Sequence, residues 1–316
     1  MCALLDVARD SQEKLAAGLA EALALGVEVL PPSVHRSEVG FVVEGEAIRF
    51  GLAGVKHVGA GVAREIVANR PYSSFADFVK RGGATRVALE ALIKVGATGF
   101  ATRAAELAVL PDTIRAVGRV GRIEDAGQLP LFDLDETYPQ PDDREEVPLG
   151  LRLDWERELC GAWVSERPPR LPDCDLVADL AVGDTARLVG QVRDLRTLIS
   201  KSRGEPFVAG ELVDATGGVK FVCFPQTYRE TADLWADGAL RVVAGRVGEY
   251  DGERQLVVEA VEEYVEPPQP DLVLEFDHDD PTPWLDAYAT AISRQGDRRV
   301  RLVLGDIYRD LATSAF

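Results

Sequence analysis

Apolar residues fall at helical spacing along Gln12–Leu25, with Leu15, Leu19, Ala22 and Leu23 on one face and Gly26 as the stop. Val27–Leu30 is a short apolar run cut off by Pro31-Pro32, which predicts a strand. Phe41-Val42-Val43 and Ala47–Phe50 flank Glu44-Gly45-Glu46, the pattern of a small hairpin. Residues 51–100 predict short helices punctuated by glycines, residues 101–115 a further helix, and residues 116–150 a linker. From Asp184 the period changes to that of strands. Ala186–Ser200 predicts a long strand bent near Arg193-Asp194, followed by strands at Pro206–Val213 and Gly218–Phe224. Gln226–Trp235 predicts a helix, and Leu240–Val247 and Gln255–Val261 two more strands. The tail reads as strand, helix, strand over Leu272–Phe276, Trp284–Ser293 and Val300–Leu304, too little for a stable domain unless it packs on something else.

Three strands, a helix and two strands is the order of an OB-fold, a small five-stranded barrel. Another small barrel or an open α+β sheet is the alternative. The chain is thus expected to be a multidomain α+β protein. Its parts are an opening region (1–50), a helical domain (51–115), a linker and connecting segment (116–183), an all-β barrel with one helix (184–265) and a short α/β tail (266–316). A length of 316 residues accommodates two or three such cores.

Hydrophobic residues make up 46% and charged residues 28%, the balance of an ordinary globular protein. No apolar run is long enough to span a membrane, and the start lacks a basic stretch followed by an apolar one, so no membrane role and a cytoplasmic location are expected. Cys2, Cys160, Cys174 and Cys223 are scattered and far from His35, His57 and His278, which predicts reduced thiols and no metal site. The net charge of −18 disfavours nucleic acid as a partner, but it is unevenly spread. Residues 1–120 carry 14 Lys and Arg against 13 Asp and Glu, whereas residues 121–183 carry 6 against 16. Basic patches in the first segment can still meet phosphates.

Within the acidic linker lies an apolar plug, Gln128-Leu129-Pro130-Leu131-Phe132. It suits a docking peptide: Leu131 and Phe132 as buried anchors, Leu129 as a secondary contact, Gln128 as a polar rim contact. A linker hairpin folded back on its own domain is the alternative. Lys56-His57-Val58-Gly59-Ala60-Gly61-Val62-Ala63-Arg64 resembles a helix-hairpin-helix, in which backbone N–H groups of a tight turn and the second helix's start bind a duplex DNA phosphate. Lys56, Val58, Gly59, Ala60, Gly61 and Arg64 are the candidate contacts, and Ala63 is the small residue for close helix packing. His57 stands where the first glycine is usual, so a purely structural hairpin is the alternative. Thr85–Gly96 is a degenerate second unit read as packing. In the barrel, Arg193, Arg196, Lys201, Arg203, Phe207, Lys220 and Phe221 are candidates for single-stranded DNA, cations tracking phosphates and aromatics stacking on bases. A structural or protein-binding barrel is the alternative.

These pieces, in this order, resemble the C-terminal part of the bacterial replicative polymerase family, the DNA polymerase III alpha subunit. Leu25–Pro32 with Arg36-Ser37-Glu38 looks like the end of its fingers domain, so residues 1–50 are read as fingers-like. Ile48–Leu52 leads into the hairpin as it does there, and Leu89–Ala97 is close to the family's pattern. The linker peptide, of form Gln-Leu-x-Leu-Phe, looks like the family's internal sliding-clamp motif. Glu158–Ser165 resembles the segment before its OB domain, although Glu166-Arg167-Pro168 replaces the usual Gly-His-Pro.

The resemblance implies a DNA-binding and clamp-docking portion of a polymerase, supporting template-directed synthesis. It also implies that the magnesium-binding palm and the exonuclease-like N-terminal domain are absent, so this chain alone is expected to extend no primer and to hold no cofactor. The missing polymerase half would be a partner in cis or in trans, the chain being a fragment, a split subunit or a truncated product. The tail is shorter than the family's clamp-loader-binding domain, which leaves that partner open. A stand-alone DNA-binding and clamp adaptor, or an error-prone paralogue, are the other readings.

Overall fold

The computed structural model describes residues 1–8, 11–125, 138–200, 204–266, 272–276, 283, 298–304 and 307–313. They form two compact units, Met1–Tyr264 and Val265–Phe316.

The first unit opens with α1 (Cys2–Ala8) and α2 (Gln12–Ala24), then a small sheet of β1 (Val29–Leu30), β2 (Val42–Glu44) and β3 (Ala47–Arg49). Strand β3 is central, parallel to β1 and antiparallel to β2. Four helices follow: α3 (Ala60–Ala68), α4 (Phe75–Arg81), α5 (Arg86–Lys94) and α6 (Arg103–Asp125). Their sequence starts are conventional caps at α4 and α5, where Ser74 accepts from the Asp77 N–H and Thr85 from the Ala88 N–H. Leu89, Leu92 and Ile93 put one face of α5 into a core shared with Phe50, Leu52, Ile66 and Phe78. As expected of packing rather than contact with a ligand, α5 buries most of its apolar side chains.

The expected linker is more structured than its composition suggests. Helix α6 runs to Asp125, past the expected end at residue 115, despite an internal Pro111. Tertiary packing overrides weak propensity there: Ala116 and Val120 bury against Ala76 and Tyr138. A further helix, α7 (Leu149–Cys160), was not expected. It ends at Gly161 with φ 82°, the left-handed cap that glycine allows. Helix α7 serves two cores. Leu149 and Leu153 pack with Leu240 and Tyr264 of the barrel region, while Leu159 and Cys160 belong to the helical core.

The barrel follows: β4 (Thr185–Ile199), β5 (Pro206–Val213), β6 (Gly218–Cys223), α8 (Pro225–Thr231), β7 (Leu240–Tyr250) and β8 (Glu253–Glu263). It closes in the order β4-β5-β6-β8-β7, with β6 parallel to β8 and the other pairs antiparallel. That order, with the helix between third and fourth strands, is the OB-fold. The bend in β4 is a register shift between Arg193 and Arg196, with Asp194 at φ 49°; it lets one long strand pair with both neighbours. Across the barrel, Gly245 sits at a second shift, where an added Cβ would lie 2.1 Å from the Val257 carbonyl oxygen.

The second unit contains β9 (Leu272–Phe276), β10 (Arg298–Leu304) and β11 (Ile307–Thr313) in the order β11-β10-β9. Strand β9 is parallel to β10, as the strand-helix-strand expectation requires, and β11 is an addition to it. The helix expected at Trp284–Ser293 lies outside the described residues.

Candidate nucleic-acid interface

The hairpin consists of a single 3-10 turn (Leu52–Gly54), a tight connection and α3. Val55 and Val58 are buried beneath it, and Ala63 is fully buried where the two arms meet. His57 adopts φ 72°, the left-handed backbone that glycine usually provides. The departure from the motif is therefore one of residue type: the backbone keeps the turn. Val58 is corrected as a contact, since its side chain is in the core and its N–H donates to the Val55 carbonyl at 3.0 Å. Helix α3 starts differently from α4 and α5. Its cap position is Gly59, and no side chain closes its first turn. Gly59 and Gly61 are exposed, and an added Cβ at either would meet nothing within 4 Å. The first N–H groups of a helix have no intrahelical acceptor, so this end presents donors and the positive pole of the helix dipole to solvent.

The flanking cations differ. Arg64 is exposed and has no ion-pair partner among the described residues. Lys56 is partly engaged: its Nζ lies 3.6 Å from Glu158 of α7, and its N–H donates to the Leu159 carbonyl at 2.8 Å. Both side chains of that pair are well exposed, so it is weak.

On the barrel, the structure separates the candidates. Phe221 is 1% exposed and stacks on Trp235 with ring centroids 4.9 Å apart. It is core, and no base can reach it. Alternation carries the signal: Lys220 points outward, so its neighbour Phe221 points in. Phe207 is half-buried, opposite Leu198 on β4, and lies 6.4 Å from Phe224 at a 33° tilt. Phe224 is 50% exposed, which makes it the accessible aromatic that the site residues should include. Arg196 is exposed on the same strand face as Leu198. Lys220 is exposed and paired with Glu253. Arg193 is corrected: it is tied to Asp154 of α7 at 2.6 Å. Burial pushes the Asp154 carboxyl up, and Arg193 opposes that shift. Gln191, fully buried, completes the junction by donating to Asp154, to the Gly150 carbonyl and to the Gly238 carbonyl. Lys201 and Arg203, and the whole peptide Gln128, Leu129, Leu131 and Phe132, lie outside the described residues.

Glu166, which stands where the resembled pattern has a glycine, has a clear role here. It receives two hydrogen bonds from the Arg152 guanidinium, at 2.6 and 2.7 Å. Among the described residues, no group of three or more His, Cys, Asp or Glu could hold a metal ion. None of their helices is long and apolar enough to cross a membrane.

Comparison with known proteins shows what these elements are similar to. Residues 26–105 match the family described as the helix-hairpin-helix motif. The chain is similar to part of the DNA polymerase III alpha subunit, as its motifs suggested. It is 32% identical to the subunit of Thermus aquaticus over 88% of this chain and 24% of that protein. It is 31% identical to that of Bacillus subtilis over 78% of this chain and 24% of that protein. The chain therefore spans about a quarter of the length of these relatives. Among solved structures, the second OB-fold domain of replication protein A from Methanococcus maripaludis covers 30% of this chain and 98% of its own, at 16% identity and a TM-score of 0.24. The barrel's assignment as an OB-fold rests on its own strand order.

Proposed function

We propose that this chain is the DNA-handling portion of a replicative DNA polymerase of the DNA polymerase III alpha type. In this reading the hairpin grips the duplex backbone, the barrel guides a single strand, and the linker peptide tethers the assembly to a sliding clamp. The remaining polymerase portion, in cis or in trans, supplies nucleotide transfer and the magnesium it needs. The observation that carries the duplex role is the open start of α3, where two exposed glycines leave the helix N–H groups accessible while α4 and α5 are closed by Ser74 and Thr85. Such a start binds a phosphate without reading sequence. The exposed Phe224, beside half-buried Phe207, together with Arg196 supports the single-strand role.

The test is duplex binding by the full chain at low salt. Gly59→Val should weaken it without lowering the melting temperature, because the added side chain has open space on the protein. Lys56→Ala should lower the salt slope by about one unit. A wild-type chain that binds no duplex, or a Gly59→Val variant of full affinity, removes the hairpin from the proposed function.

A further inference from the structure

Helix α6 carries two arginines one turn apart that its own stability does not favour. Arg115 and Arg119 stand at i and i+4, both exposed, so they are adjacent like charges on one helical stripe. Elsewhere on the helical region this spacing is filled by opposite charges: Arg81 with Asp77 on α4, and Arg86 with Glu90 on α5. Of this pair only Arg115 is compensated, by Asp112, and Arg119 has no ion-pair partner among the described residues.

Between them sits Gly118, exposed, in helical backbone, with nothing within 4 Å of an added Cβ. Neither conformation nor packing asks for glycine at that point, and glycine is among the poorest residues for a helix interior. Two locally unfavourable choices thus coincide. Together with Ile114 and Pro139, these residues line an open groove of about 540 Å³. A missing side chain flanked by two cations leaves a flat, positive floor on which a bulky polyanion can rest. The surrounding charge agrees, since residues 51–120 hold ten Lys and Arg against five Asp and Glu.

We infer that the Arg115–Gly118–Arg119 stripe of α6 is a second phosphate-binding surface for duplex DNA, separate from the hairpin turn. Arginine suits it because its planar fork can hold two phosphate oxygens and stays charged at any working pH. Asp112 acts as the resident competitor for Arg115. The inference rests on the duplex role proposed above and extends its footprint.

The experiment measures affinity of the full chain for a labelled duplex against salt concentration, alongside thermal melting. The double variant Arg115→Gln, Arg119→Gln should bind more weakly and lose about two units of salt slope, roughly 0.9 for each phosphate contact. Its melting temperature should not fall, since a like-charge pair is relieved. The double Lys variant should keep the slope, and Asp112→Asn should tighten binding. An unchanged slope in the Gln variant, while Gly59→Val still weakens binding, overturns this surface and leaves the hairpin reading standing. Loss of slope in the Lys variant overturns it as well, and a wild-type chain that binds no duplex overturns both.

Discussion

The aromatic residues of the barrel allow a test in which two phenylalanines three positions apart give opposite results. Phe221 is 1% exposed and stacked on Trp235, so Phe221→Ala removes a fully packed ring. Such a change costs about 3–5 kcal/mol. At about 2–4 °C per kcal/mol for a unit of this size, the melting temperature should drop by roughly 6–20 °C. Phe224 is 50% exposed, so Phe224→Ala loses about half of a phenylalanine's burial, roughly 1 kcal/mol. If a base stacks on it, however, that variant loses about 1–3 kcal/mol of binding, roughly a fivefold to hundredfold weaker affinity. The assay is fluorescence anisotropy of a labelled oligothymidine with the full chain at low salt, paired with thermal melting. A folded Phe224→Ala protein that binds the oligonucleotide as tightly as the unmodified chain would refute the stacking role. A Phe221→Ala protein with an unshifted melting point would refute the core assignment.

Four further outcomes are expected. Gly61→Ala should raise the melting temperature slightly, helix propensity favouring alanine by up to about 1 kcal/mol, yet weaken duplex binding; a gain in stability with unchanged binding would mark α3 as structural. Glu158→Gln should tighten duplex binding by releasing Lys56, and a measured weakening would show that α7 positions the hairpin instead. Leu131→Ala with Phe132→Ala should abolish binding to the cognate clamp with little change in melting, a well-buried anchor being worth at least about 2 kcal/mol; a large stability loss would favour a folded-back linker. The Arg81 guanidinium hydrogen-bonds Asp77 and holds its carboxyl down to about 2 from an ordinary 3.8. Its stabilisation is therefore complete above pH 4 and lost as pH falls through 2, so the melting difference between wild type and Asp77→Asn should vanish over that range.

How legible these features were depended on how simple each element's environment is. Barrel strands have one inside and one outside, so alternation placed β4 to β8 closely, and the bend at Arg193-Asp194 emerged as a bulge. The hairpin was legible because glycine is needed at few places for few reasons. Helix α7 was not, because it has no single apolar stripe. It faces two cores, and Arg152 and Glu156 are as buried as Leu153 and Leu159, each satisfied by a distant partner. Pattern counts such residues as surface. Extension of α6 was hidden in the same way by Gly118 and Gly121, whose low propensity is offset by contacts with Ala76 and Tyr138 that local sequence does not reveal. Among site residues, Arg193 misled because a cation on a strand can serve a neighbouring helix as readily as a phosphate.

The double allegiance of α7 has a practical consequence for dissecting the chain. A fragment cut at residue 184 would carry away the barrel but leave behind Gly150, Asp154, Leu149 and Leu153. The Gln191 amide would keep only the Gly238 carbonyl, and Leu240 would face water. Excision from residue 149 onward keeps that seam intact but strips Leu159 and Cys160 from the helical core. Either cut wounds one side. With a rise of 1.5 Å per residue, the twelve residues of α7 form a strut about 18 Å long, seated at both ends. The hairpin's Lys56, whose N–H donates to the Leu159 carbonyl, and the barrel's Gln191, which donates to Asp154, are thus both anchored on that one strut.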